Sequence, residues 1–263
     1  MSGRTIRLWQ WPNVLGLDAA GIAVAWLSVF TTHARPPEQP GAAAYIVLGL
    51  SVWLTYLADR LFDVSGRPEE ALLSIRHRFT KTHSRRLWAA WGLLLGIAIL
   101  TAVCCLQAFQ LKAGFLLLIA CLVYTLLNQL CSKRFFPKEV FVAAIFTAGT
   151  QVFLSTPQLD LSVLGLALLC LTNCIIIAER ERGVDARLEV HSLAKHLSTR
   201  WIWALIGVSC GLVAFSQLPL AMLPPGIALA LLFHRRTSIP VESYRVLCDA
   251  SLLLGPLFFA VFS

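Results

Sequence analysis

Long apolar runs separated by short polar stretches set the pattern of this chain. Nine segments carry close to the ~20 mostly apolar residues that a membrane-crossing helix needs. They fall at roughly 12–31, 41–58, 88–108, 112–131, 138–155, 161–178, 200–217, 219–234 and 246–262. Most connections are short, so the pattern predicts an all-α, polytopic membrane protein: one domain over residues 1–263, folded as a bundle of nine transmembrane helices. Composition agrees. Of the residues 57% are hydrophobic and 14% charged, with a mean hydropathy of +0.73, whereas soluble domains carry about 25% charged residues.

The net charge of +8 would suggest nucleic acid in a soluble protein, but here its distribution gives it a different meaning. The basic residues sit on alternate connections: Arg4 and Arg7; seven between Arg60 and Arg86; Lys133, Arg134 and Lys138; five between Arg180 and Arg200; and Arg235, Arg236 and Arg245. Only Arg35 and Lys112 fall on the other side. Positively charged loops stay cytoplasmic, which places the N-terminus inside and predicts an inner-membrane protein with a cytoplasmic working face, lipids as neighbours and no nucleic acid. Asp18 interrupts the would-be core of a signal peptide, so the first segment is expected as an uncleaved helix. The eight cysteines lie in or beside apolar runs without a CxxC pair and read as small core residues.

Polar chemistry collects in two places. Asp59 and Asp63, with Glu69 and Glu70, follow the second segment, and Glu179, Glu181, Asp185 and Glu189 follow the sixth. These two connections are also the longest, about 29 and 21 residues, where helical connections usually take 2–8. On a helix, residues four apart share a face, so Asp59 and Asp63 can present two carboxylates together. Magnesium takes oxygen ligands of this kind and joins them to substrate phosphates. The alternative is a solvated helix end neutralised by Arg60 and Arg67; a matching acidic exit four helices later on the same side favours the metal. Glu179 and Glu181 are two apart and cannot share a helical face. Cations near the carboxylates suit phosphate oxygens: Arg60, Arg76, Arg78, Lys81, Lys133, Arg134 and Arg182, with Tyr56, Asn173 and Asp185 beside them as further substrate-binding candidates. Asp18 and Asp249 are intramembrane carboxylates near helix ends, read first as helix-to-helix hydrogen bonds ahead of a catalytic role, and Asn13, also near a helix end, is open to contact with substrate or with a neighbouring backbone.

These stretches resemble the UbiA superfamily of intramembrane prenyltransferases. The family's first motif, N-D-x-x-D-x-x-x-D, falls on "TYLADRLFD", with Asp59 and Asp63 at its later aspartates and Thr55 and Tyr56 in place of the leading Asn and Asp. The second, D-x-x-D-x-E-x-D, falls on "CIIIAERE": Glu179 and Glu181 match, while Cys174 and Ile177 replace aspartates. A basic "SKRFFPKEVFVAAIFTAGT" opens the fifth segment, as in the family. The resemblance implies a single UbiA-like domain with Asp59, Asp63, Glu179 and Glu181 as the catalytic and Mg2+-binding carboxylates. It also implies transfer of a prenyl group from a polyprenyl diphosphate to a lipid-soluble, aromatic acceptor. The alternatives are a terpene cyclase or a non-catalytic lipid-binding or transport protein on the same scaffold.

Overall fold

The computed structural model describes residues 6–34, 37–68, 72, 74–131, 137–157, 160–182 and 192–262. Among them, regular structure is helical throughout. In chain order the helices are α1 (Trp11–Leu15), α2 (Leu17–His33), α3 (Ala42–Val64), α4 (Ile75–Thr82), α5 (Ser84–Cys105), α6 (Ala108–Cys131), α7 (Lys138–Gln151), α8 (Leu161–Arg180), α9 (Thr199–Ala214), α10 (Pro219–His234), α11 (Val241–Ser251) and α12 (Leu254–Phe262).

The expected nine spans become fewer when length is tested. Among the described residues, four helices, α3, α5, α6 and α8, and the α11–α12 run are long and apolar enough to cross a membrane, which makes five candidate spans, or six if the bent α1–α2 pair counts as one. At 1.5 Å per residue, the 14 residues of α7 and the 16 each of α9 and α10 reach only about 21–24 Å, short of a ~30 Å hydrocarbon core. The chain is an integral membrane protein on the strength of its long apolar helices. α5 and α6 make the point most clearly: only 6% of each apolar window is buried against protein, and Leu93, Leu100, Val103, Phe115, Leu116 and Leu122 face outward. An apolar surface of that extent requires lipid.

The core lies at the other side of the bundle. α8 is the most enclosed span, with 56% of its window buried, and Leu166, Leu169, Ile175 and Ile176 pack with Trp26 and Phe30 of α2, Met222, Leu229 and Phe233 of α10 and Tyr244 of α11. Asp160 starts α8 by accepting from the backbone N–H groups of Ser162 (2.9 Å) and Val163 (3.1 Å), which satisfies donors with no partner inside the helix. Two breaks matter for the site. Gly16, at φ 74°, ends α1 and turns the chain by 81° into α2. The second separates α11 from α12, where the buried Trp26 indole N–H donates to the Leu252 carbonyl (3.1 Å) freed there. The second-to-third connection holds the amphipathic α4, started by the Ser74 side chain, which accepts from the His77 N–H.

Close approach of α12 to α10 and α2 depends on Gly255. A Cβ there would fall on the Ala221 carbonyl oxygen and 2.7 Å from the Trp26 ring, whereas one on Gly211 of α9 meets nothing within 4 Å. Gly255→Ala is therefore expected to lower unfolding stability in detergent by about 1–3 kcal/mol. Gly211→Ala should be neutral or stabilising by up to about 1 kcal/mol; equal stabilities of the two variants would contradict this packing.

Candidate active site

α3 continues past its apolar stretch for more than a turn, and that extension carries Asp59, Arg60 and Asp63. Arg60 turns inward and is 5% exposed. Its Nη1 donates to the carbonyls of Asn13 (2.8 Å) and Val14 (2.9 Å), and the Trp53 indole N–H donates to that of Leu15 (2.9 Å). They lie at the end of α1, where the Asn13 carbonyl also accepts from the Gly16 N–H (3.1 Å), so a cation from α3 caps the negative end of α1. Asp59 and Asp63 point elsewhere. Among the described residues Asp59 has no hydrogen bond or ion pair, and the nearest charged or ring partner of Asp63 is His77, with Nε2 at 3.9 Å from Oδ2, beyond hydrogen-bonding distance. Burial, together with Arg76, Arg60 and Arg245, pushes His77 down to about 2. It is neutral, with its Nδ1 on Ser74 Oγ (3.0 Å). Lys138 and Arg76 act electrostatically on both aspartates. One pair of carboxylates thus stands one turn apart, with no arginine or lysine ion pair among the described residues, although Arg67 also acts on Asp63 through its charge.

The second acidic exit is built differently. Glu181, 5% exposed at the C-terminus of α8, has both oxygens taken: Oε1 accepts from Arg245 Nη1 and Oε2 from Arg76 Nη2 (3.2 Å). Burial alone would raise this carboxyl, but the guanidinium groups of Arg76 and Arg245 hold it below its ordinary value. Burial likewise opposes the charge on Arg76, and Glu181, with Asp249 and Glu242 farther off, more than offsets it, so Arg76 stays charged. Glu179 faces away, towards Arg236 Nε at 3.8 Å, as two-residue spacing requires. Of the four carboxylates expected for metal, Asp59 and Asp63 stand together, whereas Glu181 is engaged by two arginines and Glu179 lies on another face. Among the described residues no group of three His, Cys, Asp or Glu is placed to hold a metal. Two carboxylates still fit magnesium, which keeps several waters and shares its remaining positions with substrate phosphates.

The other predicted cations separate. Arg78 Nε donates to the Leu72 carbonyl (2.7 Å), Lys81 Nζ to that of Val64 (3.2 Å), and Arg182 Nη2 to those of Ala194 (2.8 Å) and Leu197 (3.3 Å). All three bind backbone around the loops. Lys133, Arg134 and Asp185 lie outside the described residues. Arg60, Arg76, Tyr56 and Asn173 do come together, around a cavity of about 50 Å³ between α2, α3, α7, α8 and α11 that Ile22, Val142, Ala143 and Phe146 close on the apolar side.

Three groups not placed in the site from sequence complete this chamber. Asn13 Nδ2 donates to Asp18 and to Asp249 Oδ2 (2.9 Å), and its Oδ1 accepts from Arg245 Nε (3.0 Å). Asn173 Nδ2 donates to the other oxygen of Asp249 (2.9 Å). Asp18 and Asp249 make the helix-to-helix hydrogen bonds expected of them, through Asn13. Arg245 and its neighbour Glu242, joined at 2.5 Å, were assigned to a loop because the ninth segment was started at 246. α11 begins at Val241, and an arginine inside a spanning helix is a functional signal by default.

No protein-family model matches the chain, and no curated protein matches it in sequence. Among solved structures, the apo structure of a UbiA homolog from Aeropyrum pernix K1 matches with a TM-score of 0.62 at 15% identity, over 98% of this chain and 99% of that one. The likeness extends end to end and establishes a UbiA-like fold.

Removing one member of a buried ion pair leaves the other charge unpaired, at a cost of about 3–5 kcal/mol. Glu181→Ala is expected to lose stability of that order in detergent unfolding. The sign with pH follows from the depressed carboxyl: the unfolded chain takes up the proton near 4.5 and the folded chain only below that. The Glu181 contribution is then complete above pH 4.5 and lost as the pH falls through the lower folded value. Glu181→Gln should show a shallower loss of stability in that acidic window; an unchanged slope would remove Glu181 as its source.

Proposed function

We propose that the protein transfers a prenyl group from a polyprenyl diphosphate to a lipophilic acceptor inside the membrane. The observation that carries this reading is the pair Asp59 and Asp63, one turn apart and, among the described residues, without an arginine or lysine ion pair, under the charges of the buried Arg60 and the half-buried Arg76, on a UbiA-like fold. Asp59 and Asp63 would hold Mg2+, which when bound supplies positive charge at the leaving diphosphate.

The chain's own residues do the rest. Arg76 and Lys138, both near the two aspartates, are placed to take diphosphate oxygens as negative charge develops on them. Arg60 is committed to the α1 carbonyls and positions the wall rather than the substrate. Tyr56 and Phe146 line the cavity and offer aromatic faces to an allylic cation, each worth about 0.5–2 kcal/mol. Ile22, Val142 and Ala143 keep water from that cation. The cavity of about 50 Å³ receives the reacting head group. α4, fastened to α8 by Arg76 and Glu181, supplies Arg76 to the chamber wall. Basic loops on this side direct it to the cytoplasm.

The test is release of diphosphate from an allylic polyprenyl diphosphate by the purified protein. Release should require magnesium and fall roughly 100-fold or more in Asp59→Ala. Equal turnover by that variant would refute the assignment of Asp59. The lipids formed with and without an added acceptor, read by mass spectrometry, separate transfer from cyclisation.

A further inference from the structure

Capture of an allylic cation by a neutral acceptor leaves one proton to be removed, and the diphosphate end of the site is not the place for it. Asp59 and Asp63 are assigned to metal, Glu181 is held by two arginines, and no histidine lines the cavity. We infer that Asp18 is the proton acceptor for the prenyl acceptor substrate, and that the wall beside it receives a protic head group. This role rests on the prenyl-transfer reading above.

Two independent observations meet here. The first is a carboxylate pair on a shared amide. Asn13 is oriented without ambiguity, because its Oδ1 faces Arg245 Nε, a group that only donates. Its NH2 must then serve both Asp18 and Asp249. Asp249 has its second oxygen on Asn173, so side-chain amides hold it at both ends. The second oxygen of Asp18 has only the N–H of the adjacent Ala19 (2.9 Å), which leaves Asp18 the freer of the two.

The second observation is Asn173 itself. It is 6% exposed, its NH2 is fixed on Asp249, and its Oδ1 is buried in the cavity wall without a hydrogen-bond partner. A buried unpaired acceptor calls for a donor. A hydroxyl group on the ligand supplies one O–H to it while keeping lone pairs for Arg76, whose Nε is also buried and unpaired. The charged and titratable groups that share this space with Asp18 are Arg60 and Tyr56 from α3, Arg76 from α4, Cys170 and Cys174 from α8, and Asp249 from α11; α7 contributes only apolar side chains.

The step balances. The carbon–oxygen bond to the diphosphate breaks, and its electron pair leaves with the diphosphate. The acceptor forms the new bond to that carbon, through oxygen or through an activated ring carbon. The O–H or ring C–H bond returns its electron pair to the acceptor, and the proton passes to the Asp18 carboxylate.

The experiment follows two products of the full-length protein with magnesium, an allylic polyprenyl diphosphate and para-hexylphenol. D18N should lower prenyl-phenol formation by roughly 100-fold or more, the usual range for a general base. Diphosphate release should fall far less, the cation being diverted to water as the free prenyl alcohol. Thermal unfolding of the wild type keeps the test open should D18N fail to fold. The phenol should raise Tm more than para-hexylanisole, which has the same shape without the O–H. Transfer by D18N at the wild-type rate, or equal shifts from phenol and anisole, would overturn the role of Asp18 and leave the transfer reading standing. Absence of diphosphate release by the wild type would remove the transfer reading and this role with it.

Discussion

Two guanidinium groups from different helices converge on the single carboxylate of Glu181, and the rest of the polar chamber is aligned from there. Arg245, fixed by Glu181 and Glu242, turns its Nε to Asn13; Asn13, so oriented, turns its amide to Asp18 and Asp249; and Asp249 orients Asn173. Each link uses a group that can only donate or only accept, so no member can flip without orphaning the next. A buried ion cluster of this kind contributes little net stability over an apolar core, but it specifies one arrangement. Here that arrangement ties α1, α2, α4, α8 and α11 at one end of an otherwise greasy bundle.

The α1–α2 bend is the counterpart of this cluster. Gly16 permits the left-handed turn, and at that turn the carbonyls of Asn13, Val14 and Leu15 accept from Arg60 and Trp53 of α3. Because Arg60 is hydrogen-bonded there, it acts on Asp59 through its charge alone and not as a direct ion-pair partner. The bend thus keeps the α3 carboxylates available. A straight first helix would pair its own carbonyls and leave a buried arginine in search of the nearest acid.

Much of this was legible in the sequence, and the failures have physical causes. Apolar runs located α3, α5, α6 and α8 to within a few residues because each is a long, uniformly greasy span. They also marked α7, α9 and α10, whose 14 to 16 residues fall short of the span length that the other helices meet. Asp59 and Asp63 were readable as a pair because i and i+4 is local geometry. Glu181 was read as their equal because it is acidic and in register. Its partners, Arg76 and Arg245, lie 105 and 64 residues away, and such pairings leave no local trace. Arg245 was misplaced for a related reason: a hydropathy boundary treats a charge as the end of a helix, whereas α11 carries that charge inside, compensated by Glu181.

The nearly bare flanks of α5 and α6 have a consequence for the whole molecule. Where these two helices face outward they meet acyl chains rather than neighbouring protein, so the bilayer enters the folding equilibrium as a ligand does, favouring whichever state it solvates better. Lipid length and packing then tune how firmly this wall closes.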